Sequence, residues 1–218
     1  MTNPTGRFLG VLWAPGRVAR PGVLLNPPRL LVEAGTILAF VAAILSTNYA
    51  LTGFLNVKLF DLLVFLAGYT LGFRRGASVA ALAWLVYGNF NPYGPTTLPL
   101  LATVMASETV YAGAGALVRK AISPTSVRAL PNRGWLLFGG VAILCTLVYD
   151  GLTNIYTGIS WAMISQSTDY SRWMLTALFN PGALFFAAGH TVSNFLFFTA
   201  FAPVLIKGTK RLSGKDVK

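Results

Sequence analysis

The chain has 218 residues, of which 55% are hydrophobic and only 11% are charged, against roughly 25% charged residues in a typical soluble domain. Its 17 Lys and Arg outnumber its 6 Asp and Glu, so the formal net charge is +11. The long uncharged stretches exclude a soluble nucleic-acid-binding protein despite this positive charge. The single cysteine, Cys145, excludes a scaffold of intrachain disulfides. The composition predicts an all-α polytopic membrane protein.

Six stretches approach the length of about 20 apolar residues that crosses a bilayer core as a helix. They are Leu30–Leu51, Val57–Phe73, Gly76–Phe90, Leu98–Val118, Trp135–Ile155 and Pro181–Ile206. We therefore predict a six-helix transmembrane domain at 30–206. A basic interfacial arm at 1–29 precedes it, and a basic tail at 207–218 follows it.

The third stretch is short and runs into the polar segment Gly88–Pro95. Backbone that leaves the helix at membrane depth has to be sheltered by protein or line a cavity. The segment is therefore interpreted either as a loop tucked into the bundle beside a pocket or as an ordinary surface turn.

The distribution of basic residues predicts the orientation of the chain. Fifteen of the 17 Lys and Arg lie before the first helix, between the second and third, after the fourth, or in the tail, and only Lys58 and Arg172 lie in the other loops. Cytoplasmic loops carry the excess of Lys and Arg. We expect a multi-pass protein of the plasma (cell) membrane with both termini in the cytoplasm.

Three of the rarest side chains are predicted to share one depth. Counting 1.5 Å per residue from the outer helix ends places Glu108 about 15 Å, His190 about 13 Å and Asp150 about 12 Å into the membrane. Ionisable groups are costly there and normally face a bundle interior or a wet cavity. They are candidates for binding a ligand. Two alternatives remain open, namely a proton or cation relay and, for His190, an interhelical hydrogen bond.

Further polar and aromatic residues extend this candidate site. Asn154 and Asn194 follow Asp150 and His190 by one helical turn on the same face. Aromatic side chains at the outer helix ends suit the walls of a small-molecule pocket, although an interfacial aromatic belt explains them equally well. The predicted substrate-binding residues are Asp61, Trp84, Tyr87, Asn89, Glu108, Asp150, Asn154, Tyr156, His190 and Asn194.

Sequence motifs for catalysis are absent. The chain has no G-x-S-x-G elbow, no H-E-x-x-H and no clustered metal-ligand set. The apolar neighbours of Cys145 offer nothing that activates a thiolate. It also lacks a Walker A sequence, so any ATP-driven step needs a partner. We expect a protein that is not an enzyme and that has no cofactor and no metal site.

Two helices carry small residues at intervals that allow close helix packing in lipid. Gly35, Ala39 and Ala43 recur at every fourth position of the first helix, and the third helix carries a second group that begins at Gly76. Such residues pack either against the chain's own helices or against a separate membrane protein.

The six-helix layout and two runs of sequence resemble the substrate-binding S components of energy-coupling factor (ECF) transporters, the archaeal members in particular. The runs are Asp61–Leu82, DLLVFLAGYTLGFRRGASVAAL, and Trp84–Gly94, WLVYGNFNPYG. In the arrangement of its helices the resemblance covers 30–206, whereas similarity of the amino-acid sequence itself is limited to about residues 55–95. It implies a membrane-embedded receptor for a vitamin-like ligand with a pocket toward the outer face. Its partners would be a transmembrane coupling protein and two ABC-type ATPases. The receptor would reorient in the membrane as a rigid body to release the ligand into the cytoplasm.

The resemblance also implies roles for particular residues. The family's Ala-x-x-x-Ala contact with the coupling protein matches Ala39 and Ala43, with Gly35 one turn earlier. Cobalt and nickel members use an N-terminal histidine that this chain lacks, which argues against metal uptake. A stand-alone ion-coupled carrier or channel is one alternative, and a non-transporting membrane scaffold of similar fold is another.

Overall fold

The computed structural model of the chain describes residues 27–54 and 56–212, so most of the arm predicted at 1–29 and the last residues of the tail lie outside the described part. These residues form helices and connecting turns without a β-strand. The α-helices are α1 (Pro27–Ala50), α2 (Phe60–Leu71), α3 (Phe73–Phe90), α4 (Leu98–Ala121), α5 (Pro124–Ala129), α6 (Leu136–Ile164), α7 (Tyr170–Phe179) and α8 (Pro181–Leu212). A 3₁₀ turn at Asn132–Trp135 precedes α6.

Four of these helices are long and apolar enough to cross a membrane, which indicates a membrane protein whose described part is all-helical. The candidate spans are Leu30–Ala50, Leu98–Ala121, Leu136–Ile164 and Pro181–Gly208, in α1, α4, α6 and α8. All six predicted stretches are helical. The second and third, however, form shorter elements, because α2 has 12 residues and a length of about 18 Å. The 18 residues of α3 include two arginines in the first turn.

Several helix boundaries differ from the predicted ones. The chain breaks between α2 and α3 at Gly72, whose φ of +87° is readily adopted only by glycine, so α3 already includes Arg74 and Arg75. Helix α6 continues to Ile164, past its predicted end at Ile155, because the Thr, Gly and Ser that interrupt the apolar run do not interrupt the helix. Helix α7 was expected to be loop, and α8 extends into the predicted tail.

Helix α2 lies at the centre of the bundle and packs closely on α4. Its approach depends on glycines: a Cβ added to Gly115 would lie 2.0 Å from the carbonyl oxygen of Phe65, and one added to Gly68 would lie 2.1 Å from that of Ala112. Gly76 of α3 is buried against the same Gly68. The small residues of the third helix thus pack inside the bundle.

The small residues of the first helix are arranged differently. Helix α1 packs on α2 and α3 through buried Val41 and Ile44. Gly35, Ala39 and Ala43 are exposed on the outside of the bundle, and a Cβ added to Gly35 would meet no described atom within 4 Å. This stripe is therefore not used for packing within the described part of the chain.

An ion pair joins α1 to the start of α3. The Arg75 guanidinium donates from Nη2 to Glu33 Oε2 at 2.6 Å, and Nε donates to the second carboxylate oxygen. Both side chains are exposed. Glu33 therefore has a structural role at the surface of the bundle, where it connects α1 to α3.

The segment after α3 lies at the end of the bundle. Phe90 and Tyr93 are both 74% exposed. Asn91 organises the turn, since its amide Nδ2 donates to the carbonyl oxygen of Gly94 at 2.6 Å. The structure therefore fits the surface-turn interpretation of this segment and contradicts a loop tucked into the bundle.

Candidate functional site

The centre of the candidate site is a histidine held between two carboxylates. His190 of α8 has Nε2 2.6 Å from Asp61 Oδ2 on α2 and Nδ1 2.9 Å from Asp150 Oδ1 on α6. The side chains of His190 and Asp61 are 1% and 0% exposed. Carboxylates only accept hydrogen bonds, so an imidazole that serves both donates from both ring nitrogens. Such a histidine is an imidazolium with a positive charge.

Asn194, one turn further along α8, extends the network to α4. Its Nδ2 lies 2.7 Å from Asp61 Oδ2, 2.9 Å from Thr146 Oγ1 and 3.1 Å from the Tyr111 hydroxyl. An amide nitrogen has two hydrogens and therefore serves two of these three acceptors at a time. The Tyr111 and Thr146 oxygens are also 2.9 Å apart. Four helices, α2, α4, α6 and α8, thus meet in one hydrogen-bonded network.

Lys58 brings a second positive charge to this network. It precedes α2, and its Nζ lies 3.9 Å from Asp61 Oδ1. It also interacts electrostatically with Glu108 and Asp150. Its ammonium lies over the rings of Phe60, Trp84 and Tyr149, at 5.9, 5.5 and 5.3 Å from their centroids. We refer to Asp61, Glu108, Asp150 and these three rings as the carboxylate–aromatic cage.

The cage keeps unused capacity to accept hydrogen bonds. Glu108 on α4 is 0% exposed, and its Oε2 accepts a hydrogen bond from Trp84 Nε1 at 3.2 Å. Glu108 Oε1, Asp61 Oδ1 and Asp150 Oδ2 have no hydrogen-bond partner among the described residues. An unsatisfied buried acceptor costs about 1–3 kcal/mol, and more if it is charged. A ligand that donates hydrogen bonds would relieve this cost.

The loop that carries Lys58 is attached on two sides. We call residues 51–54 and 56–59 the entry loop. The Tyr93 hydroxyl donates to the carbonyl oxygen of Thr52 at 2.9 Å, which ties the loop to the segment between α3 and α4. Asn56 Nδ2 donates to the carbonyl oxygen of Phe186 at 3.0 Å, which ties it to α8. The backbone of Asn56 has a φ of 55°, in the left-handed region.

Six of the ten predicted site residues come together, one is adjacent to them, and three lie elsewhere. Asp61, Trp84, Glu108, Asp150, His190 and Asn194 come together in the network and the cage. Tyr87 is adjacent, with its ring 6.0 Å from that of Trp84 and 5.7 Å from that of Tyr49. Asn89 is exposed and donates to Leu85 of its own helix. Asn154 and Tyr156 are half-buried on α6 and make no side-chain hydrogen bond within the described part of the chain.

Sequence reasoning missed Lys58, Tyr111, Thr146 and Tyr149 as members of the site. Helical spacing was the available signal for two of them. Tyr111 follows Glu108 by three residues and Thr146 precedes Asp150 by four, spacings that place side chains on one helix face. Tyr111 and Thr146 were overlooked because hydroxyls and aromatic rings are common in membrane helices, and Lys58 because it lies before the helix.

The chemistry of the site favours cation binding or proton movement. In the described part of the chain, His, Cys, Asp and Glu do not form a group of three that could hold a metal ion, and both ring nitrogens of His190 are already bonded to carboxylates. Cys145 is buried and free. Comparisons of the chain with protein-family models, curated proteins and solved structures found no match.

Proposed function

We propose that this chain is a membrane-embedded receptor for a small water-soluble ligand. The proposal depends on one observation, a largely enclosed cluster of three carboxylates and one histidine from four helices of an apolar bundle, with one lysine from the loop before α2. Ionisable groups within membrane segments are rare and mark substrate or ion pathways by default. Aromatic walls with a few placed polar groups are typical of small-molecule sites.

The proposed arrangement in the membrane has six spans, with α2 and α3 as the second and third. Both termini lie in the cytoplasm, and the membrane is the plasma membrane. Support comes from the segregation of Lys and Arg, because the arginines beside the break at Gly72 belong to the same side as the basic tail. Lys58 and Asp61, at the other end of α2, then lie toward the outer side, where a ligand enters.

In this proposal the chain acts as an S component of an ECF-type importer of a vitamin or other micronutrient. The resemblance at 55–95 supports it, as does the lack of a Walker A sequence for self-powered transport. The exposed stripe of Gly35, Ala39 and Ala43 offers a smooth face for a transmembrane coupling protein, which would connect the receptor to its ATPases.

Ligand capture tests this function. Native mass spectrometry and thermal-shift screening of the purified protein are expected to find a bound vitamin-like compound. Asp150→Asn removes a charge from the cage, and Glu108→Gln replaces one of its carboxyl oxygens with an amide NH₂. Each should weaken binding at least tenfold, about 1.4 kcal/mol. Asp169→Asn is the matched control, because this exposed carboxylate caps α7 away from the site. Unchanged affinity in both cage variants would rule out this site.

A second candidate function is favoured by the Asp61–His190–Asp150 chain itself. A histidine that bonds two carboxylates at 2.6 and 2.9 Å can pass a proton between them, as a stand-alone ion-coupled carrier requires. The protein reconstituted alone in liposomes distinguishes the two. A carrier accumulates substrate when a pH gradient is imposed, whereas a receptor binds substrate without accumulating it.

Substitutions on α1 test the coupling surface. Ala39→Leu combined with Ala43→Leu is expected to abolish cellular uptake, because the added side chains keep a partner helix at a distance, while ligand binding by the purified protein is retained. The control is Ala102→Leu with Ala106→Leu, which has the same spacing and is exposed on α4. Equal uptake in the two double variants would assign the α1 stripe to lipid contact only.

A further inference from the structure

Lys58, whose side chain is 17% exposed, is loosely held for a half-buried cation. Its nearest carboxylate oxygen is at 3.9 Å, outside hydrogen-bond distance, and its ring contacts of 5.3 to 5.9 Å lie near the outer limit of cation–π attraction. The ammonium has three N–H donors, and the cage has three carboxylate oxygens without a hydrogen-bond partner among the described residues. The N–H donors of Lys58 and the free carboxylate oxygens of the cage therefore lie in the same site without forming hydrogen bonds with each other.

The charges of the site favour one class of ligand. Asp61 and Asp150 contribute two negative charges, which the Lys58 ammonium and the imidazolium of His190 balance. Withdrawal of Lys58 therefore leaves the cage together with His190 negative by one charge, and an ionised Glu108 would make them negative by two. With Lys58 withdrawn, the site attracts a cation and not an anion.

The position of Lys58 allows it to be displaced. Its flexible four-carbon side chain arises from the entry loop rather than from a helix. Among the described residues, the side-chain hydrogen bonds that tie this loop to α8 are those of Asn56 with Phe186 and Ser193, and Tyr93 ties its other end. Withdrawal of the ammonium requires a rotamer change and a small movement of the loop, without separation of any two helices.

We propose that Lys58 occupies the subsite for a cationic group of the ligand, and that the ligand carries a protonated amine or amidine that replaces the Lys58 ammonium in the carboxylate–aromatic cage. This inference rests on the proposed receptor function and specifies the chemical class of its ligand. A compact N–H donor group satisfies Glu108 Oε1 directly, which a lysine tethered at 3.9 Å from its nearest carboxylate does not. Lys58 then acts as a competing internal cation that lowers the affinity for weakly bound amines.

The test uses the full chain in lipid nanodiscs with ethylammonium as the probe, and with ethanol and acetate as neutral and anionic counterparts. Lys58→Met removes the internal cation and keeps an unbranched side chain that is one atom shorter. It should bind ethylammonium at least about tenfold more tightly than the wild type, measured by thermal shift and by tryptophan fluorescence. Lys120→Met, an exposed residue at the end of α4, removes the same charge elsewhere and should leave the affinity unchanged.

Two further variants keep the inference falsifiable. Lys58→Arg retains the internal cation and should show no gain in ethylammonium affinity, whereas adding Glu108→Gln to Lys58→Met should cancel the gain.

Equal ethylammonium affinity in wild type, Lys58→Met and Lys120→Met would overturn the inference, as would a gain that survives Glu108→Gln. If native mass spectrometry finds a neutral or anionic ligand that is lost in Lys58→Met, the receptor function stands and the cationic ligand is refuted. If no variant binds ethylammonium and no ligand is captured, both proposals fail.

Discussion

Replacing Asp61 with alanine is expected to destabilise the protein by about 3–5 kcal/mol, the cost of removing one partner of a buried ion pair. The carboxylate is 0% exposed and accepts hydrogen bonds from His190 and Asn194 while it pairs with Lys58. Its loss leaves the imidazolium with one carboxylate and the lysine without its nearest counter-ion. No other described side chain contacts all three of these residues.

Unfolding in mixed detergent–SDS micelles, followed by tryptophan fluorescence, measures this effect. Asp61→Asn keeps an acceptor for Asn194 and should lose less stability than Asp61→Ala. A double-mutant cycle with His190→Gln should show a coupling free energy of about 0.5–3 kcal/mol, as for residues in one hydrogen-bond network. A loss below about 1 kcal/mol in Asp61→Ala would show that the pair contributes little to the fold.

The second large effect is expected at Gly115, where α4 meets α2. A Cβ at this position would lie 2.0 Å from the carbonyl oxygen of Phe65 and 2.7 Å from the backbone nitrogen of Tyr69. These are backbone atoms, so they move only if one helix is displaced. Gly115→Ala should therefore cost at least the 1–3 kcal/mol that is typical of overpacking. Separating α2 from α4 also moves Asp61 relative to Glu108, so ligand affinity should fall together with stability.

Gly113→Ala provides a matched control on the same helix. Its added Cβ would lie 3.8 Å from the ring of Phe73, an ordinary contact distance. Because alanine favours helix by up to about 1 kcal/mol over glycine, this variant should be neutral or slightly stabilised. The same SDS titration compares the two. Equal stability of the two variants would contradict the close approach of α2 and α4.

Much of the site could be predicted from the sequence because its charged members are so rare. Glu108, Asp150 and His190 are conspicuous in apolar stretches, and counting along the helices placed them at one depth. The structure brings all three into the same site, together with Asp61 and Asn194. The helical character of the six apolar stretches follows from the same length argument.

Other features could not be predicted because they depend on the relative placement of distant segments. Lys58 belongs to a loop, and a loop has no periodicity that shows where its side chains point. Gly68 and Gly115 resemble any other membrane glycines until α2 and α4 are placed side by side. The extension of α6 and the presence of α7 were missed since a length-and-apolarity criterion ends a helix where polar residues begin.

The enclosure of α2 has a consequence for biogenesis. Nine of its 12 residues are buried by protein, including the charged Asp61. Its length of about 18 Å is well below the roughly 30 Å hydrocarbon thickness of a bilayer. Lipid alone therefore offers α2 no stable position. Of the helices that pack on it, α1 is synthesised earlier, whereas α3, α4 and α8 are synthesised later. We therefore expect the nascent chain to hold α2 beside the bilayer, or in contact with the insertion machinery, until the later helices are inserted and pack around it.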